Sequence, residues 1–120
     1  MRKNYIISRY SGTKTETRFN VRVARFMAKK VLDEGFIPVV PHIYFTQFLD
    51  DRKQCERSKG VEIALDLLKE CDKATVVIVD NYISDGMKAE LKCVNSLGIP
   101  VRVINYKKIE LKKLLRKNGV

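Results

Sequence analysis

The run Ala74-Thr75-Val76-Val77-Ile78-Val79 constrains the fold more than any other stretch of the chain. A β-branched run without alternating polar positions suits a strand covered on both faces, the environment of a parallel sheet. Parallel strands need long crossover connections, so helices should flank the run. The flanks supply them. One helical pattern covers about Arg52 to Cys71, with Val61, Leu65 and Leu68 inward and Ala64 beside them. Another covers about Ser84 to Leu97 and closes at Gly98.

The alternation continues in both directions. Asn4–Ser8 reads as a first strand, about Thr17 to Glu34 as a helix stopped by Gly35, and Phe36–Val40 as a second strand with Pro38 near its start. Pro41–Phe45 reads as a loop, Ile99–Ile104 as a fourth strand, and about Lys107 to Lys117 as a basic closing helix. Strands alternating with helices imply right-handed βαβ units. The expected fold class is α/β: a small doubly wound, Rossmann/flavodoxin-like parallel sheet of about four to five strands with flanking helices. With 120 residues, 45% of them hydrophobic, the chain builds one core, so a single domain over 1–120 is expected.

The formal charge of +10 raises nucleic acid, an anionic surface or a phosphorylated small molecule as partners. It is unevenly placed: residues 1–30 carry +8, residues 106–120 carry +5, and the stretch between them carries −3. Arg18, Arg22, Arg25 and Lys29 fall on one helical stripe, either a phosphate-tracking surface or a solvated face. No aromatic residues are interleaved as stacking platforms. Nothing in the sequence approaches the roughly 20 apolar residues of a membrane span, and the N-terminus has no signal-peptide pattern. Cys55, Cys71 and Cys93 fit neither a disulfide framework nor metal-ligand spacing, so buried free thiols, a cytoplasmic location and no cofactor are expected.

In such folds ligands bind outside the carboxyl ends of the strands. Three loops qualify there: Ser8–Gly12, Pro41–Phe45 and Asp80–Gly86. The third leads into Ser84-Asp85-Gly86-Met87-Lys88-Ala89-Glu90. There Ser84 can cap a helix, and Gly86 lets an anion approach the backbone N–H groups. Glu90 lies one turn on from Gly86.

Ser84-x-Gly86-x-x-x-Glu90, together with Tyr5-Ile6-Ile7-Ser8-Arg9-Tyr10-Ser11-Gly12, resembles the nucleoside 2-deoxyribosyltransferase-like superfamily. The stretches Pro41–Asp51, Glu56-Arg57-x-x-Gly60 and Cys71-Asp72 resemble a small bacterial and phage branch of it. The resemblance extends from about Tyr5 to Ile104.

The resemblance implies that Glu90 attacks the anomeric carbon of a (deoxy)ribosyl group and expels the base, leaving a covalent glycosyl-enzyme. Another base as acceptor makes the reaction a transfer, and water makes it a hydrolysis. Ser84 stands where the family's transferases tend to carry Asp and its nucleotide hydrolases Ser, which favours a 5′-monophosphate substrate. Asp85 opposes this unless it turns outward. The resemblance further implies that Ser8, Arg9, Tyr10, Ser84, Gly86 and Met87 line the substrate site, with Arg9 a candidate phosphate partner. It also implies a homo-oligomer, a dimer or larger. The family's helix aspartate falls in register on Ala64, with Glu62 and Asp66 as neighbouring carboxylates. His42, the single histidine, is either a base contact and proton donor or a structural residue beneath a loop. Asp72 reads as a turn or capping residue. Two further readings stay open: an inactive nucleotide-binding or sensing module, and nucleic-acid binding through the basic first and last helices.

Overall fold

Strand and helix alternate from Lys3 to Lys117 in a computed structural model that describes residues 2–45, 48–49 and 53–119. The strands are β1 (Lys3–Ile7), β2 (Ile37–Val39), β3 (Lys73–Val79) and β4 (Val101–Tyr106). The helices are α1 (Lys14–Asp33), α2 (Pro41–Phe45), α3 (Gln54–Lys69), α4 (Asp85–Leu97) and α5 (Lys108–Lys117). All strand pairs are parallel, in the order β2-β1-β3-β4. The chain steps from β1 to β2 on one side and to β3 and β4 on the other, so the strand order reverses beside β1. This is the doubly wound fold that the β-branched run implied, with four strands among the described residues.

Period-two alternation splits the core into two layers. Tyr5, Ile7, Val76 and Ile78 face α3 and α4, where Leu68, Met87 and Val94 cover them. Ile6 and Val77 face the other way, under Val23, Met27 and Val31 of α1 and Leu111 and Leu115 of α5. Asp72 accepts the Lys3 N–H at 2.8 Å, a tie at the amino end of the sheet and away from the ligand edge.

Several boundaries differ from the sequence reading, each for a local reason. α1 starts at Lys14, not Thr17, because Thr13 and Glu16 form a capping box: Thr13 Oγ1 accepts the Glu16 N–H at 3.2 Å and Glu16 Oε1 accepts the Thr13 N–H at 2.9 Å. Thr13→Ala should lower unfolding stability by about 1 kcal/mol. Urea titration would read this, and an unchanged midpoint would mean the box contributes nothing. Pro41–Phe45 is a helical turn and not a loop, with Pro41 at its first position, where the missing N–H is harmless. Pro38 sits in edge strand β2, as a proline in a sheet should.

Val61 is exposed, not inward, because α3 turns only Leu68 fully into the core with Leu65 packed beside it. The expected start of this helix at Arg52 lies outside the described residues. Of the three free thiols, Cys71 is buried as expected, Cys93 is intermediate and Cys55 is exposed. Burial pushes the Cys71 thiol up to about 11, so it stays a thiol at neutral pH. Among the described residues, no helix is long and apolar enough to cross a membrane.

Candidate active site

The carboxyl ends of β1, β2 and β3 release three segments beside one another: the loop 8–12, helix α2 and the start of α4. The buried residues of α4 include Met87, Glu90 and Val94, spaced as an inward helical stripe. A carboxylate stands in the middle of that stripe. Burying a charge costs free energy unless polar partners meet it. Here they do. The Tyr5 hydroxyl donates to Glu90 Oε2, and His42 Nε2 lies 3.8 Å from Oε1. Tyr5 reaches Glu90 because alternation along β1 turns its ring toward the α3/α4 layer. Burial, and then the Glu90 carboxylate, hold the Tyr5 phenol far above its ordinary range, so it serves as a proton-bearing donor.

Tyr10 from the first loop stacks on His42, with ring centroids 5.8 Å apart and planes 19° apart. Glu90, His42 and Tyr10 therefore come together, joined by Tyr5. Tyr5 was missed as a functional residue in the sequence. The available signal was that a buried tyrosine needs a partner for its hydroxyl.

The start of α4 forms the second part of the site. Ser84 Oγ caps the helix by accepting the Met87 N–H at 3.2 Å, which leaves its own hydroxyl proton for a ligand. Gly86 opens on space: an added Cβ would meet only Ser84 Oγ, at 4.0 Å. The first N–H groups of a helix have no intrahelical partner, so this end suits an anion. Asp85 is turned fully outward and lies 4.0 Å from Lys88, clear of that space. Met87 is buried in the core, so its side chain supports the turn from beneath.

Ser8 and Arg9 lie on the opposite side of the sheet edge. They line a cavity of about 200 Å³ with Glu16, Phe19, Asn20, Asp80, Tyr82 and Lys108, and Glu90 is not part of it. The buried Ser8 Oγ has no hydrogen-bond partner among the described residues. Arg9 pairs with Glu16 at 3.2 Å and sits 4.6 Å over the Tyr82 ring. Tyr82 is brought there by a tight turn in which Asp80 and Asn81 take φ values of 50° and 61°, a conformation that these two types tolerate best among non-glycine residues. The capping-box N–H of Thr13 and then Arg9 hold the Glu16 carboxyl below the usual carboxylate range. Consecutive residues thus diverge: Arg9 goes to the α1/α5 side and Tyr10 to the Glu90 side.

On α3, Ala64 holds the register position, while Glu62 and Asp66 are exposed, the latter 3.6 Å from Lys69. Thr46, Gln47, Asp50 and Asp51 of the stretch after β2 lie outside the described residues. Along α1, Arg18, Arg25 and Lys29 are exposed, and Lys29 pairs with Asp33 at 2.6 Å. Among the described residues, no group of three or more His, Cys, Asp or Glu is placed to hold a metal ion.

Residues 2–104 match the model of a family described as "Domain of unknown function (DUF7768)". The chain belongs to the DUF7768 family. All the candidate site residues that the sequence nominated lie within the matched part of this DUF7768 chain. The end of β4 and α5, with Lys108 at the cavity, fall outside it. No curated protein sequence matches significantly. Among solved structures, the fold matches a 2-deoxyribosyltransferase from the psychrotolerant bacterium Bacillus psychrosaccharolyticus. The TM-score is 0.72 at 20% identity, over 88% of this chain and 74% of that one. At that identity the likeness is one of fold.

Proposed function

We propose that this DUF7768 protein cleaves the N-glycosidic bond of a nucleoside or nucleotide, with Glu90 as nucleophile and a nucleoside 5′-monophosphate as the favoured substrate. The observation that carries the reading is the buried Glu90 carboxylate, set in an otherwise apolar helix stripe and met by Tyr5 and His42. The fold shared with a 2-deoxyribosyltransferase and the spacing Ser84-x-Gly86-x-x-x-Glu90 support it.

Glu90 Oε1 attacks C1′ of the sugar, the C1′–N bond breaks, and its electron pair leaves with the base. A proton must reach the departing base, and His42, with Nε2 3.8 Å from Glu90 Oε1, is the candidate donor, since Tyr5 is engaged in holding the carboxylate. The glycosyl ester then falls to water or to a second base. Tyr5 holds the attacking carboxylate in place. The phosphate of a 5′-monophosphate would sit on the Gly86 N–H and the Ser84 hydroxyl, and the outward Asp85 favours this placement.

A second reading, a nucleotide-binding module without turnover, is favoured by one observation: Ala64 holds the register position of the family's helix aspartate, and its neighbours Glu62 and Asp66 are exposed. A panel of nucleosides and 5′-monophosphates, assayed for free-base release and for thermal shift, separates the two. Base release is the result expected. A thermal shift with no base released would replace the enzymatic reading with the binding one, and the absence of both would end both.

A further inference from the structure

The outer side of β4 is an open hydrogen-bonding edge: among the described residues, no strand pairs with it. Its register fixes which groups point outward. The Ala74 N–H donates to Pro100 C=O at 3.0 Å and the Asp80 N–H donates to Tyr106 C=O at 2.9 Å. Residues 100, 102, 104 and 106 therefore turn their backbone groups toward β3. The N–H and C=O groups of Val101, Val103 and Asn105 face out.

Native sheets usually protect such an edge with lysines, prolines or bulges. This one carries none of these within Val101–Tyr106. Its one charge, Arg102, is drawn into a two-bond pair with Glu34, at 2.8 and 3.0 Å. At the centre stands Val103, 62% exposed, with Leu97 and Ile109 also exposed on the flanking helices.

We infer that β4 is a dimerisation edge that pairs antiparallel with β4 of a second copy, on a two-fold axis through Val103. The register is self-complementary. An outward-facing residue on the axis forms a hydrogen-bonded pair with its own copy, which sets Val103 against Val103 and Val101 against Asn105. The same register lays the second copy's exposed Lys107 beside Ile99, at the carboxyl end of α4. That helix has no basic residue in its last turn, so its partial negative charge receives this lysine. The pairing joins two four-stranded sheets into one of eight and covers the exposed valine. It is independent of the activity proposed for Glu90.

Sedimentation of the full chain across a wide concentration range, with cross-linking of cysteine variants, tests this. The wild type should reach twice the mass of one chain. Val103→Glu places like charges opposite one another and should weaken the dimer about tenfold or more, with an unchanged far-UV spectrum. Val103→Cys, in a Cys55→Ser background, should form a covalent dimer under mild oxidation. Hydrogen-bonded antiparallel partners have Cα atoms about 5.5 Å apart, within disulfide reach. Asn105→Cys in the same background should not, because its copies lie about 13 Å apart along the strand. A wild type that stays monomeric would overturn the inference. So would a dimer that is indifferent to Val103→Glu with no Val103→Cys cross-link, since that dimer would use another face.

Discussion

Glu90→Gln should abolish the proposed base release while the folded state and ligand binding persist. Glutamine is nearly isosteric, and its Oε1 can still accept from the Tyr5 hydroxyl, so the buried stripe of α4 keeps its packing and one hydrogen bond. The bond to C1′ is lost, because a neutral amide oxygen is a poor nucleophile toward an oxocarbenium-like carbon. Loss of a covalent nucleophile should cost about a thousandfold or more in turnover, equivalent to about 4 kcal/mol of barrier. Initial rates of base release, read with the melting temperature in the presence of substrate, check it. Turnover within a few-fold of wild type would remove Glu90 from the mechanism, whereas a collapsed melting temperature would identify a structural role.

The elements legible in the sequence were those whose causes are local. The β-branched Ala74–Val79 run, Gly98 with its positive φ of 69° at the end of α4, and Ser84 as the cap of the same helix each act through neighbours in the chain. The capping box at Thr13 and Glu16 is equally local and was written in the sequence. The apolar pattern that placed the helix start at Thr17 ignores the polar first turn. Val61 misled for the opposite reason. Its spacing fits an inward stripe, yet Val61 is 54% exposed among the described residues, and burial is decided by what stands opposite.

The site divides along the same line. The α4 turn was visible as a motif. The hydrogen bond from Tyr5 to Glu90 spans 85 residues and exists only because β1 lies beside β3, so only the assembled sheet reveals it. The divergence of Arg9 and Tyr10 to opposite sides of the sheet edge is also a tertiary outcome. In the sequence they are simply adjacent polar residues of one loop.

This division bears on the charge. Of the basic N-terminal segment, Arg9 reaches a cavity at the ligand edge, and there Glu16 balances it. The remaining stripe, Arg18, Arg25 and Lys29, stands exposed on α1. The local positive end of α4, more than the net charge, would therefore supply the favourable field for the anionic substrate proposed at Glu90.

Tyr5→Phe should produce the second-largest effect, and its signature distinguishes positioning from packing. The ring stays and only the hydroxyl leaves, so the α3/α4 layer remains filled while the buried Glu90 carboxylate loses its hydrogen-bond donor. Leaving a buried charged acceptor without that donor should destabilise the fold by about 1–3 kcal/mol. A carboxylate free to swing away from C1′ should also lower turnover by about 10- to 100-fold, with KM little changed, because in the proposed mechanism Tyr5 touches Glu90 and not the substrate. Tyr5 is held protonated by burial and by Glu90, so it should contribute no alkaline limb to the wild-type pH profile. The Phe variant should accordingly leave any alkaline limb in place while lowering the plateau. A proportional fall in stability with turnover unchanged would make the hydroxyl a purely structural partner. A rise in KM without loss of turnover would place Tyr5 on the substrate instead.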